Sequence, residues 1–117
     1  MTTKHTTPIP GKRIRIFVGE AQEWHGKPLY RALVEVAQQH DMLVATVLHG
    51  IEGFGPEHRL STERLPDISE NLPMVVEIID EEAQVEALLP VFDQMVQQGT
   101  ITLASVELLL SKRRVSW

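Results

Sequence analysis

Apolar side chains recur along this chain with two different periods, and the changes between them divide it into elements. In RIRIFVG, residues 13 to 19, Ile14, Ile16 and Val18 alternate with Arg13, Arg15 and Phe17, which predicts a strand. Pro28 suits the first position of a helix, where its missing N–H has no partner to lose. Leu29, Leu33, Val36 and Ala37 follow at helical spacing, so a helix is predicted from Pro28 to about His40. LVATVLHGIEGFG, 43 to 55, is β-branched and apolar but broken by glycine, and its first half predicts a buried strand. PMVVEIID, 73 to 80, predicts a third. Asp80 suits an N-cap, with Glu81 and Glu82 favourable in the first turn of a second helix. That helix presents Val85, Leu88, Leu89, Phe92 and Val96 at spacings of three and four. Pro90 falls in its interior and predicts a kink, and Gly99 suits the C′ position. ITLASVELLL supplies a fourth strand, expected from about Ser105.

The predicted order is β-α-β-β-α-β, the split βαβ arrangement of an α+β, ferredoxin-like fold: an antiparallel sheet with both helices on one face. One domain is expected from residue 12 to 117, preceded by a flexible tail over 1 to 11 whose Thr, Pro and Gly supply turns rather than packing. LVATVL, MVVEII and VELLL are apolar on both faces, yet two helices cover only one. The other face is expected to be buried by further subunits.

Composition narrows the function classes. No apolar run approaches the about 20 residues needed to cross a bilayer, so a chain not inserted in the membrane is expected. The opening MTTKHTTPIPGK lacks the apolar core of a secretory signal, which makes the cytoplasm the expected location. The chain has no cysteine, which removes disulfides, thiolate metal sites and a cysteine nucleophile. A net charge of −5 argues against nucleic-acid binding, whose affinity comes mainly from Lys and Arg on phosphates. Positive charge is local, chiefly in KRR at 112 to 114.

Between the second and third strands the chain spends residues 53 to 72, GFGPEHRLSTERLPDISENL, on a connection with no strong period. Connections beyond roughly 12 to 15 residues are usually functional or disordered. Gly50, Gly53 and Gly55 either bend the chain or let its backbone approach a ligand. His58, Arg59 and Arg64 could hold an anion, balanced by Glu57, Glu63, Asp67 and Glu70.

RIRIFVGE, GKPLYRALVEVAQQHDMLVATVLHGIEGFG, LPMVVEIID and VELLL together resemble the PII-like family known as domain of unknown function 190, from residue 13 to about 110. More distantly, GFG at 53 to 55 resembles the same tripeptide at the base of the signalling loop of nitrogen-regulatory PII proteins. Those are ferredoxin-like homotrimers that bind adenine nucleotides in clefts between subunits and regulate transporters and enzymes by moving that loop. The resemblance implies a homotrimer, with Gly53, Phe54 and Gly55 at the cleft and an adenine nucleotide as effector rather than as a resident cofactor. It implies that Arg59 lies near, though not at, the position of a basic residue that follows GFG in PII. It also makes Arg113 and Arg114, after the last strand, candidates for phosphate binding. The chain departs from PII in two respects: QQGTITLAS has one glycine and no cation where PII has a Gly- and Lys-rich phosphate loop, and its only tyrosine, Tyr30, lies on the first helix.

Each feature also has a plainer reading. His25, His40, His49 and His58 are not spaced as metal ligands, and no metal is expected. Glu20 and Trp24 could line a cleft, Trp24 stacking on a base, but a half-buried structural tryptophan fits as well. KRR could clamp a phosphate or form a solvated tail. Ser61 and Ser69 have no base and orienter at hand, so no enzyme is expected. Two functions remain. One is a regulatory protein whose intersubunit clefts bind a small ligand and whose 53 to 72 loop signals to a transporter or enzyme. The other is a trimeric scaffold that binds a partner protein and no small molecule.

Overall fold

The computed structural model describes residues 7 to 56, 58 to 63 and 71 to 110. Four long strands form the main sheet: β1 (Ile9–Gly19), β4 (Val44–His49), β7 (Pro73–Glu81) and β8 (Thr100–Leu108). Two short ribbons, β2 (Glu23–Trp24) with β3 (Lys27–Pro28), and β5 (Glu52–Gly53) with β6 (Ser61–Thr62), interrupt the connections. The helices are α1 (Leu29–Gln39) and α2 (Glu82–Met95). The sheet runs β4-β7-β1-β8, and the pairs are antiparallel throughout. This is the ferredoxin-like order that the hydrophobic pattern predicts.

Strand alternation decides what the helices cover. Ile14, Ile16 and Val18 of β1 and Met74, Val76 and Ile78 of β7 pack against Leu29, Ala32, Leu33 and Ala37 of α1 and Val85, Leu88, Phe92 and Met95 of α2 in one core. Because side chains alternate with period two, Arg13, Arg15 and Phe17, with Val75, Glu77 and Ile79, fall on the opposite, open face. That face is more mixed than the strand sequences suggest. Arg15 Nε donates to Glu77 Oε2 at 2.7 Å in its middle, while Phe17 and Leu48 are exposed around it.

Several expected boundaries move. The tail gives way to strand at Ile9, because Gly11 lets two neighbours close over it: a Cβ there would lie 2.7 Å from Leu108 Cγ and 2.9 Å from the Asp80 carbonyl. The strand expected from Ser105 starts at Thr100, with Ile101 and Leu103 opposite Ile16 and Ile14. Asp80 does not cap α2, whose N-cap is Glu81. Its place on the core face of β7 turns the carboxylate inward, 1% exposed, where it accepts N–H bonds from Leu43 at 3.1 Å and Glu81 at 2.6 Å. The helix continues through Pro90 to Met95 and is capped at Val96 rather than running to Gly99. The polar connection at 20 to 27 is a tight hairpin, whose turn residues His25 and Gly26 have φ of 51° and 84°, as a two-residue primed turn requires.

Candidate ligand pocket at the base of the long loop

Gly50, Gly53 and Gly55 serve different ends. Gly50 N–H donates to the Pro73 carbonyl at 2.7 Å, and a Cβ at Gly50 would lie 2.9 Å from that same oxygen. Only a bare backbone docks the end of β4 onto the start of β7 this closely. The chain then folds back on itself: β5 pairs with β6, and Glu63 N–H donates to the Ile51 carbonyl at 3.0 Å. Between the two ribbon strands, His58 N–H donates to the Gly55 carbonyl at 2.8 Å, closing a turn with Pro56 at its second position. His58 takes φ of 58°, and its ring stacks on Phe54 with centroids 5.2 Å apart and planes 24° from parallel.

This folded loop base forms one wall of a pocket of about 670 Å³, within the range of roughly 300–1,000 Å³ usual for small-molecule sites. Gly53, Phe54, Gly55, Pro56, Arg59, Leu60 and Ser61 supply that wall. Phe17, Val18 and Gly19 at the end of β1 and Gln98, Gly99 and Thr100 leading into β8 supply the opposite one, with Asn71 and Pro73 between. Gly99 permits the approach of its segment to β1, since a Cβ there would lie 2.6 Å from the Phe17 carbonyl.

Gln22 ties the walls together. Its Oε1 accepts the Gly19 N–H at 2.6 Å and its Nε2 donates to the Gln98 carbonyl at 2.8 Å. Asn71 Oδ1 accepts the Ala21 N–H at 2.8 Å, fixing the same turn from the side of β7. The pocket is thus apolar around Phe17, Phe54, Pro56 and Leu60, and polar around Gln22, Asn71, Gln98 and Thr100. Among the described lining residues Arg59 alone carries a full charge.

Of the residues singled out in the sequence, Gly53, Phe54, Gly55 and Arg59 line this pocket. His58 does not line it and touches Phe54 instead. Arg113 and Arg114, with Arg64, lie outside the described residues. Trp24 packs against the core, and the Glu20 carboxylate meets His49 Nε2 at 3.3 Å, so neither borders the pocket. Gln22 and Asn71 had no sequence signal, and the 98 to 100 segment was marked only by the position of QQGTITLAS, where PII has its phosphate loop. They reach the site only because the sheet order brings the ends of β1, β7 and β8 together.

The sequence model of the family described as uncharacterized ACR, domain of unknown function 190, matches residues 11–108. The chain belongs to this family. A UPF0166 protein of Aquifex aeolicus (strain VF5) is 37% identical over 101 residues, covering 86% of this chain and 95% of that protein. A UPF0166 protein of Methanocaldococcus jannaschii is 24% identical over 91 residues, covering 78% and 83%. Among solved structures, CPII of Thiomonas intermedia K12 bound to ADP and bicarbonate is similar with a TM-score of 0.59 at 14% identity, over 89% of this chain and 93% of that one. The same nitrogen regulatory PII-like protein bound to ADP, AMP and bicarbonate gives 0.60 at 13% identity, over 89% and 92%. The DUF190 chain therefore has the fold of a PII-like protein.

Proposed function

We propose that this DUF190 protein is a PII-like regulator that binds an adenine nucleotide in the pocket at the base of its 53 to 72 loop and passes occupancy to a transporter or enzyme through that loop. The observation that carries the reading is the convergence of Gly53, Phe54, Gly55 and Arg59 with the 98 to 100 segment around a cavity of about 670 Å³. The similarity in fold to CPII, a protein solved with ADP and AMP, supports the choice of ligand class. The protein acts by binding rather than catalysis, in the cytoplasm, as a homotrimer whose subunits complete the cleft. The exposed Phe17 and Leu48 on the open sheet face support assembly. Among the described residues no helix is long and apolar enough to cross a membrane. Arg113 and Arg114 remain candidates for phosphate contact. Isothermal titration with AMP, ADP and ATP tests the reading: saturable binding of at least one supports it, and no binding of any overturns it.

A second reading, a trimeric scaffold that binds a partner protein and no small molecule, is favoured by one observation. Leu48, Ile51, Phe54 and Leu60 expose large apolar surfaces within one stretch of chain. The same titration separates the two.

A further inference from the structure

Phe54 is 64% exposed, an unusual position for a phenylalanine beside a pocket, and it is nevertheless held in place. The turn closed by His58 N–H and the Gly55 carbonyl folds the chain back so that the imidazole stacks on the phenyl ring. His58 adopts φ of 58°, a left-handed conformation uncommon for a residue with a Cβ, in making this contact. Phe54 borders the cavity while His58 does not, so the imidazole backs the ring from outside. An exposed aromatic ring, pre-oriented at the mouth of a cavity, is what a planar heterocycle needs to stack on. Every nucleobase offers such a face. Arg59 follows on the same wall and supplies the positive charge that a phosphate requires.

We infer that Phe54 is the stacking surface for the base of the bound nucleotide and that His58 is a positioning residue that holds its ring in place. This rests on the nucleotide reading of the pocket. It adds a division of labour within the loop: recognition of the base by Phe54 and of the phosphate by Arg59, with Gly53 and Gly55 as backbone wall. It predicts selectivity for a ligand with a base over one that shares only the sugar phosphate.

The test compares AMP with ribose 5-phosphate by calorimetry on the full chain. The intact protein binds AMP at least tenfold more tightly than ribose 5-phosphate. Phe54→Ala lowers AMP affinity by about tenfold or more, the scale of aromatic–base stacking by alanine substitution, and leaves ribose 5-phosphate binding unchanged. Phe54→Tyr keeps the preference. His58→Ala weakens AMP selectively, and His58→Phe, which restores a stacked ring, recovers it. AMP binding unaltered in Phe54→Ala, or an equal loss of both ligands, overturns the stacking role while leaving the nucleotide reading intact. Failure of AMP, ADP and ATP to bind the intact protein overturns both. Because Phe54 is exposed, its alanine variant folds, and an unchanged circular dichroism spectrum checks this.

Discussion

Replacing Gly99 with alanine makes the sharpest test of how the pocket wall is built. A Cβ at Gly99 would lie 2.6 Å from the Phe17 carbonyl oxygen, with Val96 Cγ1 at 3.0 Å and Val18 Cγ1 at 3.1 Å. The nearest of these is backbone of β1, an inner strand of the sheet, which cannot rotate away. Ordinary contact begins near 3.4 Å, so the 98 to 100 segment must retreat by most of an ångström just before Thr100 pairs with Phe17. Overpacking of this kind costs typically about 1–3 kcal/mol. In a chain of this size each kcal/mol moves the thermal midpoint by several degrees, so Gly99→Ala should lower it by roughly 4 °C or more. Gly55→Ala is the control. A Cβ there meets nothing within 4 Å and its φ is not left-handed, so alanine restricts the unfolded chain and stabilises by about 0.4–1 kcal/mol. Differential scanning calorimetry at one fixed protein concentration reads both. Equal shifts for the two variants would refute the claim that Gly99 is required for a close backbone approach.

Other substitutions probe different links. Asp80→Ala deprives the partly buried Leu43 and Glu81 amides of their acceptor and should cost about 1 kcal/mol in urea unfolding, the typical net worth of one hydrogen bond where water can reach the freed donors. Asp80→Asn, which keeps an acceptor oxygen, should lose less. Arg59→Ala should weaken AMP several-fold in titration calorimetry and flatten its dependence on salt, while adenosine, which has no phosphate, binds as before; an equal loss of adenosine would mean that Arg59 shapes the loop instead.

The order of the long elements was legible because apolar residues keep period two in the strands and near 3.6 in the helices, and each long element buries one face. The misplaced ends have local causes. Pro10 and Gly11 are poor strand formers, yet β1 includes them because β8 pairs with both and β7 joins on the other side at Gly11. The alternation of Ile101 and Leu103 with Thr100 and Thr102 was a strand signal in plain view, since threonine is β-branched and favours strands. The His25–Gly26 turn was likewise readable as a two-residue hairpin loop. Asp80 misled because an N-cap residue and a buried acceptor look alike until the strand's facing is known. Gly53, Phe54, Gly55 and Arg59 could be singled out because they share one stretch of chain. Gln22 and Asn71 could not, because what joins them to the site is the order of the sheet.

The proposed site requires the loop base and the 98 to 100 segment to hold a nucleotide together. Hydrogen–deuterium exchange of the full-length protein with and without saturating AMP or ADP tests it most directly, because it reports both whether binding occurs and where. Slower exchange is expected only in peptides covering Gly53–Ser61 and Gln98–Thr100, together with the end of β1. An exchange pattern unchanged by either nucleotide, or protection appearing only on surfaces remote from these walls, would contradict it.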